Sequence, residues 1–135
     1  MPKYTFQQEE YQNWMSEGDV DHEWTDHTGR TYKQIGARSH LLAGDSDSPE
    51  QFGFASDTSY GVNSFRPGGV YETHSHQTFQ FYFVLSGSAK MRVADEERKA
   101  EKGAWIAIPP EVDHYLENDG DEPFTYIMIG GNRLP

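Results

Sequence analysis

The stretch HSHQTFQ at residues 74–80 decides most of what this chain reveals about its fold. Side chains two apart on an extended strand point to the same face, so His74 and His76 lie side by side. Gln80 is four residues after His76, so it lies on the same face if the bend between them is regular, and Tyr82 follows on that face. A lone histidine pair of this kind occurs on surfaces and in cores as well as in metal sites. The residues around it must therefore decide between these readings.

A second stretch, GAWIAIPP at residues 103–110, is followed by His114 and Asn118. Its two prolines form a rigid entry to another strand, which brings a third histidine towards the same interior. Three imidazoles and one amide oxygen on inward-facing strands can bind one divalent transition metal. Zn, Ni, Mn and Fe(II) all remain open. The predicted metal ligands are His74, His76, Gln80 and His114.

From Thr31 onward the chain consists of short alternating runs separated by turns that are rich in Gly, Pro, Asn and Asp. Many short strands at such spacing predict an all-β sandwich or barrel rather than a parallel sheet with helices. The predicted turns include 67–69, 86–88, 94–97 and 118–121. The candidate strands are 31–35, 39–43, 51–56, 59–66, 69–75, 79–85, 88–94, 104–108, 112–118 and 123–130.

Composition excludes several classes of function. The chain has 135 residues and a net charge of −11, so it lacks the clustered cations that nucleic acids or anionic membranes require. It contains no cysteine, which excludes disulfides and thiolate catalysis. No signal run follows Met1, and no stretch is long and apolar enough to span a membrane, so a cytoplasmic location is expected.

Residues 1–30 form a predicted N-terminal extension that is acidic and partly helical, with a short helix over 5–16. We expect it to pack on the barrel or on a partner subunit. Residues 31–135 form the barrel domain. His22 and His27 are interpreted as surface residues because no regular element places residues five apart on one face. The role of His40 stays open.

The two stretches resemble the two motifs of the cupin superfamily. The first motif, G-x5-H-x-H-x3-E-x6-G, is matched from Gly68 to Gly87. The second, G-x5-P-x-G-x2-H-x3-N, is matched from Gly103 to Asn118. The resemblance implies a single double-stranded β-helix, or jelly-roll barrel. The chain departs from the motifs twice, with Gln80 in place of Glu and Glu111 in place of a turn Gly.

Gln80, as a neutral ligand, bears on the type of reaction that the metal would catalyse. A neutral ligand set leaves the metal close to its full positive charge, which favours Lewis-acid work on a carbonyl or enol. Three His and one Gln make this chain similar to monocupin polyketide cyclases and to cupins that ketonise uronates. The resemblance implies a metal-dependent cyclase, lyase or isomerase. The alternatives are an Fe(II) or Ni(II) dioxygenase and a non-catalytic module that binds a sugar or small acid.

Other residues border the predicted cavity. Tyr82 and Glu72 are candidate catalytic residues, although a core aromatic and a surface carboxylate are the alternative readings. The small-molecule substrate would be bound by residues from the strands flanking the motif. These candidates are Asn63, Phe65, Arg66, Tyr126 and Met128. Edge strands of a small open barrel need covering, which predicts a homodimer.

Overall fold

The computed structural model describes residues 20–43 and 58–131. Within these ranges all regular structure is β, which confirms the predicted fold class, and no helix there is long and apolar enough to cross a membrane. The nine strands are β1 Val20–Thr25, β2 Thr31–Ala43, β3 Thr58–His74, β4 Phe79–Ser86, β5 Ser88–Val93, β6 Glu96–Glu101, β7 Trp105–Ile108, β8 His114–Glu117 and β9 Phe124–Gly131.

Strand β3 joins two layers into one nearly closed barrel. Its first half pairs with β9, and its second half pairs with β8. The strands run in the order β6-β5-β8-β3-β9-β4-β7, and β2 covers the remaining edge of β3. The predicted break at 67–69 was wrong, because the strand bends there without ending. A Cβ on Gly69 would lie 2.9 Å from the Ile35 carbonyl oxygen, so the bend needs a glycine.

Strand β2 follows the same bend. The two strands predicted at 31–35 and 39–43 are one strand with a bulge at Gly36, whose φ is +71°. A bulge inserts one residue and sharpens the local twist, which lets β2 remain paired with β3 across both layers. The sequence showed only an interrupted alternation, which predicted two separate strands.

Strand β6 was missed. Its sequence, EERKAE, is charged at every position except Ala100, which is its one buried residue. Ala94 turns the chain with φ +54°, and Val93 then pairs with Glu96. Charged edge strands discourage association with other chains, which explains a strand that lacks apolar alternation.

The predicted N-terminal extension is described only from residue 20. Strand β1 pairs antiparallel with β2, and the Trp24 indole N–H donates to Gln34 Oε1 at 3.1 Å. This part of the extension therefore packs on the barrel. The predicted helix over 5–16 and the predicted strand over 51–56 lie outside the described residues, and the domain boundary at residue 30 stays a prediction.

The core lies between the two layers. Alternate side chains of β4, β8 and β9 face inward and are buried, and each large apolar one contributes roughly 1.5–3 kcal/mol by leaving water. These inward residues are Tyr82, Val84, Leu116, Phe124, Tyr126 and Met128.

Candidate metal centre

Three histidines meet where β3 ends and β8 begins. His74 is the last residue of β3 and pairs across the strands with His114, the first residue of β8. His76 reaches them from the loop before β4. The ligating nitrogens of all three lie within 4.8 Å of one another. The fold therefore brings together the two histidine stretches that the sequence keeps about 40 residues apart.

Each imidazole is anchored through Nδ1. The Nδ1 atoms of His74 and His76 lie 2.8 Å from the carbonyl oxygens of Glu72 and Thr78, and His114 Nδ1 lies 3.0 Å from that of Val112. A carbonyl only accepts, so Nδ1 carries the proton and Nε2 keeps its lone pair. Such outer contacts fix the ring and tautomer of metal-binding histidines.

The Nε2 atoms of His76 and His114 are buried and have no hydrogen-bond partner. Leaving a buried acceptor unpaired costs about 1–3 kcal/mol, so a fold that keeps two of them at one point calls for an occupant. A divalent transition metal accepts lone pairs from nitrogen and satisfies both atoms. The residues present therefore fit a metal.

The histidines are neutral at physiological pH. Burial lowers the pKa of His114 to about 3, with repulsion from His74 as a further cause. Burial likewise lowers the pKa of His74 to about 4 and depresses that of His76. Only the neutral imidazole ligates a metal, so the environment keeps the cluster in its binding form.

Gln80 lies on β4 beside this cluster. Its side chain is close enough to His76 to act on the pKa of that imidazole. Its Oε1 accepts a hydrogen bond from the Tyr82 hydroxyl at 3.1 Å. The predicted fourth ligand is thus adjacent to His76, and its ligand role stays a prediction.

Two predicted pocket tyrosines lie behind Gln80. Tyr82 and Tyr126 are buried, and their rings stack with centroids 4.2 Å apart. Asn63 Nδ2 donates to the Tyr126 hydroxyl at 3.2 Å. Burial raises the pKa of Tyr82 well above its usual value, so its hydroxyl stays protonated and available as a donor.

The other predicted site residues are more dispersed. Phe65 is fully buried in the core, and Met128 lies opposite Tyr82 on β9. The exposed side chain of Arg66 lies over Gly36 of β2. The Glu72 carboxylate accepts from the Lys33 backbone N–H at 2.7 Å, which ties it to β2. Their substrate and catalytic roles stay predictions.

Two tyrosines that the sequence analysis did not single out pack against His74. The ring centroids of Tyr32 and Tyr71 lie 4.4 Å and 4.1 Å from that of His74, and 6.0 Å from each other. No local pattern marks Tyr32, because its position depends on the pairing of β2 with β3. Tyr71 is three residues before His74, so simple strand alternation would put the two on opposite faces. They meet because the β3–β8 pairing is irregular between them.

The turn between β1 and β2 also reaches the site. Arg30 bridges Asp26 and Asp113, the neighbour of His114. His27 is exposed as predicted, but its Nε2 lies 3.9 Å from Glu111 Oε1. Glu111 has φ +64°, so it adopts the left-handed turn that the motif assigns to glycine, and its N–H donates to the His76 carbonyl at 2.7 Å.

A cavity of about 420 Å³ lies between β6 and β7, at the open side of the barrel. Val93 and Ile106 are part of its lining, and they pair across the strands with His114 and Tyr82 respectively. Arg98 and Glu96 stand at its rim. The lining residues are neighbours of the site rather than ligands.

Comparisons with known proteins agree with this geometry. The family model described as the cupin domain matches residues 61–130. Oxalate decarboxylase of Bacillus subtilis is 33% identical over 69 residues, which are 47% of this chain and 18% of that protein. An uncharacterized protein of Methanocaldococcus jannaschii is 37% identical over 55 residues, 40% of this chain and 44% of that protein. The matched segments thus span less than half of either curated relative.

Solved structures share the fold at low identity. A protein of Photorhabdus luminescens has a TM-score of 0.60 at 23% identity, covering 72% of this chain and 76% of that one. The cupin domain of Schizosaccharomyces pombe Cnp3 has a TM-score of 0.60 at 12% identity, with coverages of 84% and 87%. An RmlC-like cupin of Shewanella frigidimarina has a TM-score of 0.59 at 19% identity, with coverages of 71% and 76%.

Proposed function

The chain belongs to the cupin domain family, and from that premise we propose that it is a metal-dependent enzyme for redox-neutral chemistry on a carbonyl or enol substrate. The observation that carries the proposal is the neutral donor set: three imidazoles with unprotonated Nε2 atoms and the adjacent Gln80 amide. A divalent metal bound there supplies a Lewis acid that polarises a carbonyl oxygen or stabilises an enolate.

The residues around the metal contribute by holding its ligands and a buried phenol in place. The buried histidines present lone pairs without a proton to lose, so metal binding does not compete with protonation near neutral pH. The Tyr82 hydroxyl remains protonated and is the nearest buried phenol to Gln80. Tyr32 and Tyr71 pack against His74 and hold its ring in place.

We place the substrate in the cavity between β6 and β7. Its floor is mostly apolar, with Met91, Val93 and Ile106, and its rim carries the cations Arg98 and Lys99 together with Glu96. Such a surface suits a small organic acid with an apolar body. The partial similarity to oxalate decarboxylase, a protein named for its reaction on a small dicarboxylate, supports an acid substrate and a lyase-type reaction.

The test is metal analysis of the purified protein combined with assays in air and under anaerobic conditions. The panel contains β-ketones, unsaturated uronates and small dicarboxylates. We expect one divalent metal per chain and equal turnover without O₂. A strict requirement for O₂ would favour a dioxygenase instead, and ligand binding that survives metal removal without turnover would favour a binding module.

Gln80→Glu tests the neutral ligand set itself. A carboxylate adds a negative charge at the metal and weakens its Lewis acidity, so we expect retained metal and a lower rate. The matched control is Gln34→Glu, which alters an amide on β2 that bonds Trp24 rather than the histidine cluster. An unchanged rate in Gln80→Glu contradicts the Lewis-acid argument.

We also propose that the partner is a second copy of this chain, docked through the outer face of β4, β7 and β9. That face presents Phe81, Trp105 and Ile129, and no charged side chain stands among the outward residues of these three strands. Each chain carries a net charge of −11, so two copies repel least where both surfaces are uncharged. A cytoplasmic location stays a prediction from the sequence.

A further inference from the structure

The turn that joins β1 to β2 extends past the main sheet and lies against the candidate metal centre. The pairing of β2 with β3 starts at Gln34 and Tyr71, so residues 26–33, the hairpin tip, lie beyond the end of that ladder. The tip also lies outside residues 61–130, which the cupin family model matches. It is held against the barrel by contacts that involve side chains.

The hairpin tip has a fixed shape of its own. The side chain of Asp26 is only 1% exposed, and its carboxylate accepts from the backbone N–H groups of Thr28 at 2.9 Å and Arg30 at 3.1 Å. The same carboxylate accepts from Arg30 Nε at 3.1 Å. These bonds set the direction of the guanidinium and leave its two terminal nitrogens to contact the barrel.

The first contact of the tip reaches the segment that carries His114. The Arg30 Nη1 and Nη2 atoms donate to the two carboxylate oxygens of Asp113 at 3.2 Å and 2.6 Å. Two parallel bonds of this kind fix the geometry of both groups. The Asp113 backbone carbonyl accepts from the Ala94 N–H at 2.8 Å. The residue directly before a metal ligand is therefore held from two sides.

The second contact reaches His74. The ring of Tyr32 packs against that imidazole, with centroids 4.4 Å apart and planes 11° apart. The Lys33 N–H donates to the Glu72 carboxylate at 2.7 Å, and the Glu72 carbonyl lies 2.8 Å from His74 Nδ1. The tip thus touches both the ring of this ligand and the residue that anchors it.

A third, looser contact reaches the segment that supports His76. His27 Nε2 lies 3.9 Å from Glu111 Oε1, and the Glu111 N–H donates to the His76 carbonyl at 2.7 Å. One hairpin tip therefore contacts the supports of all three histidines, although these lie on different segments of the chain.

We propose that Arg30 and Tyr32 are positioning residues of the metal centre, which hold His114 and His74 where their Nε2 atoms converge. This inference rests on the proposed metal function. Coupling between two equilibria is reciprocal, so a bound metal stabilises the docked hairpin tip by the same factor by which the docked tip raises metal affinity.

The charge of Arg30 makes the proposal separable from a simple electrostatic effect. A guanidinium repels a metal cation, so its removal would by charge alone strengthen metal binding. Loss of positioning weakens metal binding instead. The two effects have opposite signs, and the sign of the measured change decides between them.

The first measurement compares Arg30→Gln with the wild type. Co(II) affinity is measured by competitive titration, and the visible absorption of bound Co(II) reports its ligand field. We expect binding to weaken by about 10-fold, the lower end of the range for outer contacts to metal ligands, with an altered spectrum. Unchanged or stronger binding would overturn the proposal.

The matched control is Lys90→Gln. It also removes one positive charge with a carboxylate partner, since Lys90 Nζ lies 3.9 Å from Glu117 Oε2, but that pair does not contact a histidine support. Affinity and spectrum should stay unchanged. Circular dichroism and thermal melting show whether each variant remains folded. Equal losses in Lys90→Gln and Arg30→Gln would reject the positioning role.

A double-mutant cycle tests the route through Asp113. Asp113→Asn removes the bidentate partner, so Arg30→Gln should then have little left to disrupt. In that background we expect its effect on Co(II) affinity to shrink to within about 2-fold, the usual limit of additivity for independent sites. An undiminished loss would mean that Arg30 acts by another route and would contradict the proposal.

Tyr32 is tested by two substitutions that differ in the ring. Tyr32→Phe keeps the aromatic contact with His74 and should keep Co(II) affinity. Tyr32→Leu loses that contact and should weaken binding by about 2-fold to 10-fold, the range for an aromatic pair. Equal affinities of the two variants would reject the role of Tyr32.

Hydrogen exchange tests the reciprocal effect. The Lys33 amide reports docking, because its bond to Glu72 joins the hairpin tip to the barrel. Zn(II) should slow the exchange of this amide in the wild type, and Arg30→Gln should accelerate it. Exchange that is indifferent to both would overturn the coupling.

Failure of the proposed function is distinguishable from failure of this inference. If the wild type binds metal but turns over no substrate, the proposed chemistry fails and the affinities above still decide the positioning role. If it binds no metal, the imidazole ¹H–¹⁵N resonances of His114 decide. Arg30→Gln should shift them and Lys90→Gln should not, and unshifted resonances overturn the inference.

Discussion

The two faces of strand β4 differ in a way that runs against simple hydrophobic patterning. The inward residues Gln80, Tyr82 and Val84 include an amide and a phenol, whereas the outward residues include Phe81 and Leu85, which are 41% and 37% exposed. Apolar side chains normally define the buried face of a strand. Here the interior has polar groups because it builds a site, and the exterior is apolar.

The outer face continues beyond β4. Trp105 on β7 is 65% exposed and lies against Phe83 with ring centroids 4.7 Å apart, and Ile129 on β9 is 41% exposed. This surface also contains a pocket of about 280 Å³ beside Phe79 and Pro109. The comparison therefore teaches that one strand serves two purposes, a site on its inner face and a proposed contact on its outer face.

The largest expected effect concerns the inner face. His114→Ala removes a ligand, so metal affinity should fall by more than about 100-fold, beyond the usual cost of changing an outer contact. Metal content after dialysis measures this effect. His22→Ala is the control, because that histidine stacks on Trp24 outside the cluster. Full metal content in His114→Ala would contradict the assigned centre.

Removal of the metal should also change stability. A ligand present at 100 times its Kd stabilises the folded state by about 2.7 kcal/mol, which corresponds to roughly 10 °C in Tm for a domain of this size. Thermal melting with Zn(II) and with excess chelator measures the shift. The same shift should persist in Phe81→Asp, since that residue faces outward. A melting temperature indifferent to chelator would count against a bound metal.

The next effect concerns the outer face. Phe81→Asp places a charge at the centre of the proposed dimer contact, so self-association should weaken by about 30-fold, the effect of losing an interface hot spot of about 2 kcal/mol. Light scattering over a range of concentrations measures the oligomeric state. Asp95→Asn, at the β5–β6 turn, is the control. A wild type that is monomeric at micromolar concentration would reject the dimer.

The smallest effect compares two neighbours on opposite faces of β4. Val84 is 0% exposed and Leu85 is 37% exposed. Val84→Ala opens space in the core and should cost about 2 kcal/mol of unfolding free energy, whereas Leu85→Ala should cost about 0.5 kcal/mol in the monomer. Denaturant titration measures both. Equal costs would show that β4 does not divide inside from outside as described.

Several features of the fold followed directly from the sequence. The turn at Ser86-Gly87-Ser88 and the strands around it were predicted within one residue of their observed ends, because Gly87 has φ +78° and abuts the Pro123 carbonyl. The bends in β2 and β3 were misread as breaks. A bulge and a turn both interrupt alternation, and only pairing with a neighbouring strand distinguishes them.

The residues of the site also fall into two groups, those that the sequence predicted and those that depend on strand pairing. His74, His76 and His114 could be predicted because metal ligation restricts both residue type and spacing. The flanking Tyr32 and Tyr71, and the turn carrying His27 and Arg30, could not be predicted. Their positions depend on the pairing of β1 and β2 against β3, and the local sequence carries no trace of that pairing.

What the sequence by itself determined is the all-β class, the family motifs and the three histidines, since each rests on local periodicity and residue chemistry. Only the tertiary structure decided that the Nδ1 atoms are tied to carbonyls, that the Tyr82 hydroxyl reaches Gln80, and that the phenylalanines of β4 face outward. The physical reason is that an alternating strand specifies two faces but not which one is buried. That choice is made by the strands that pair beside it and close the barrel.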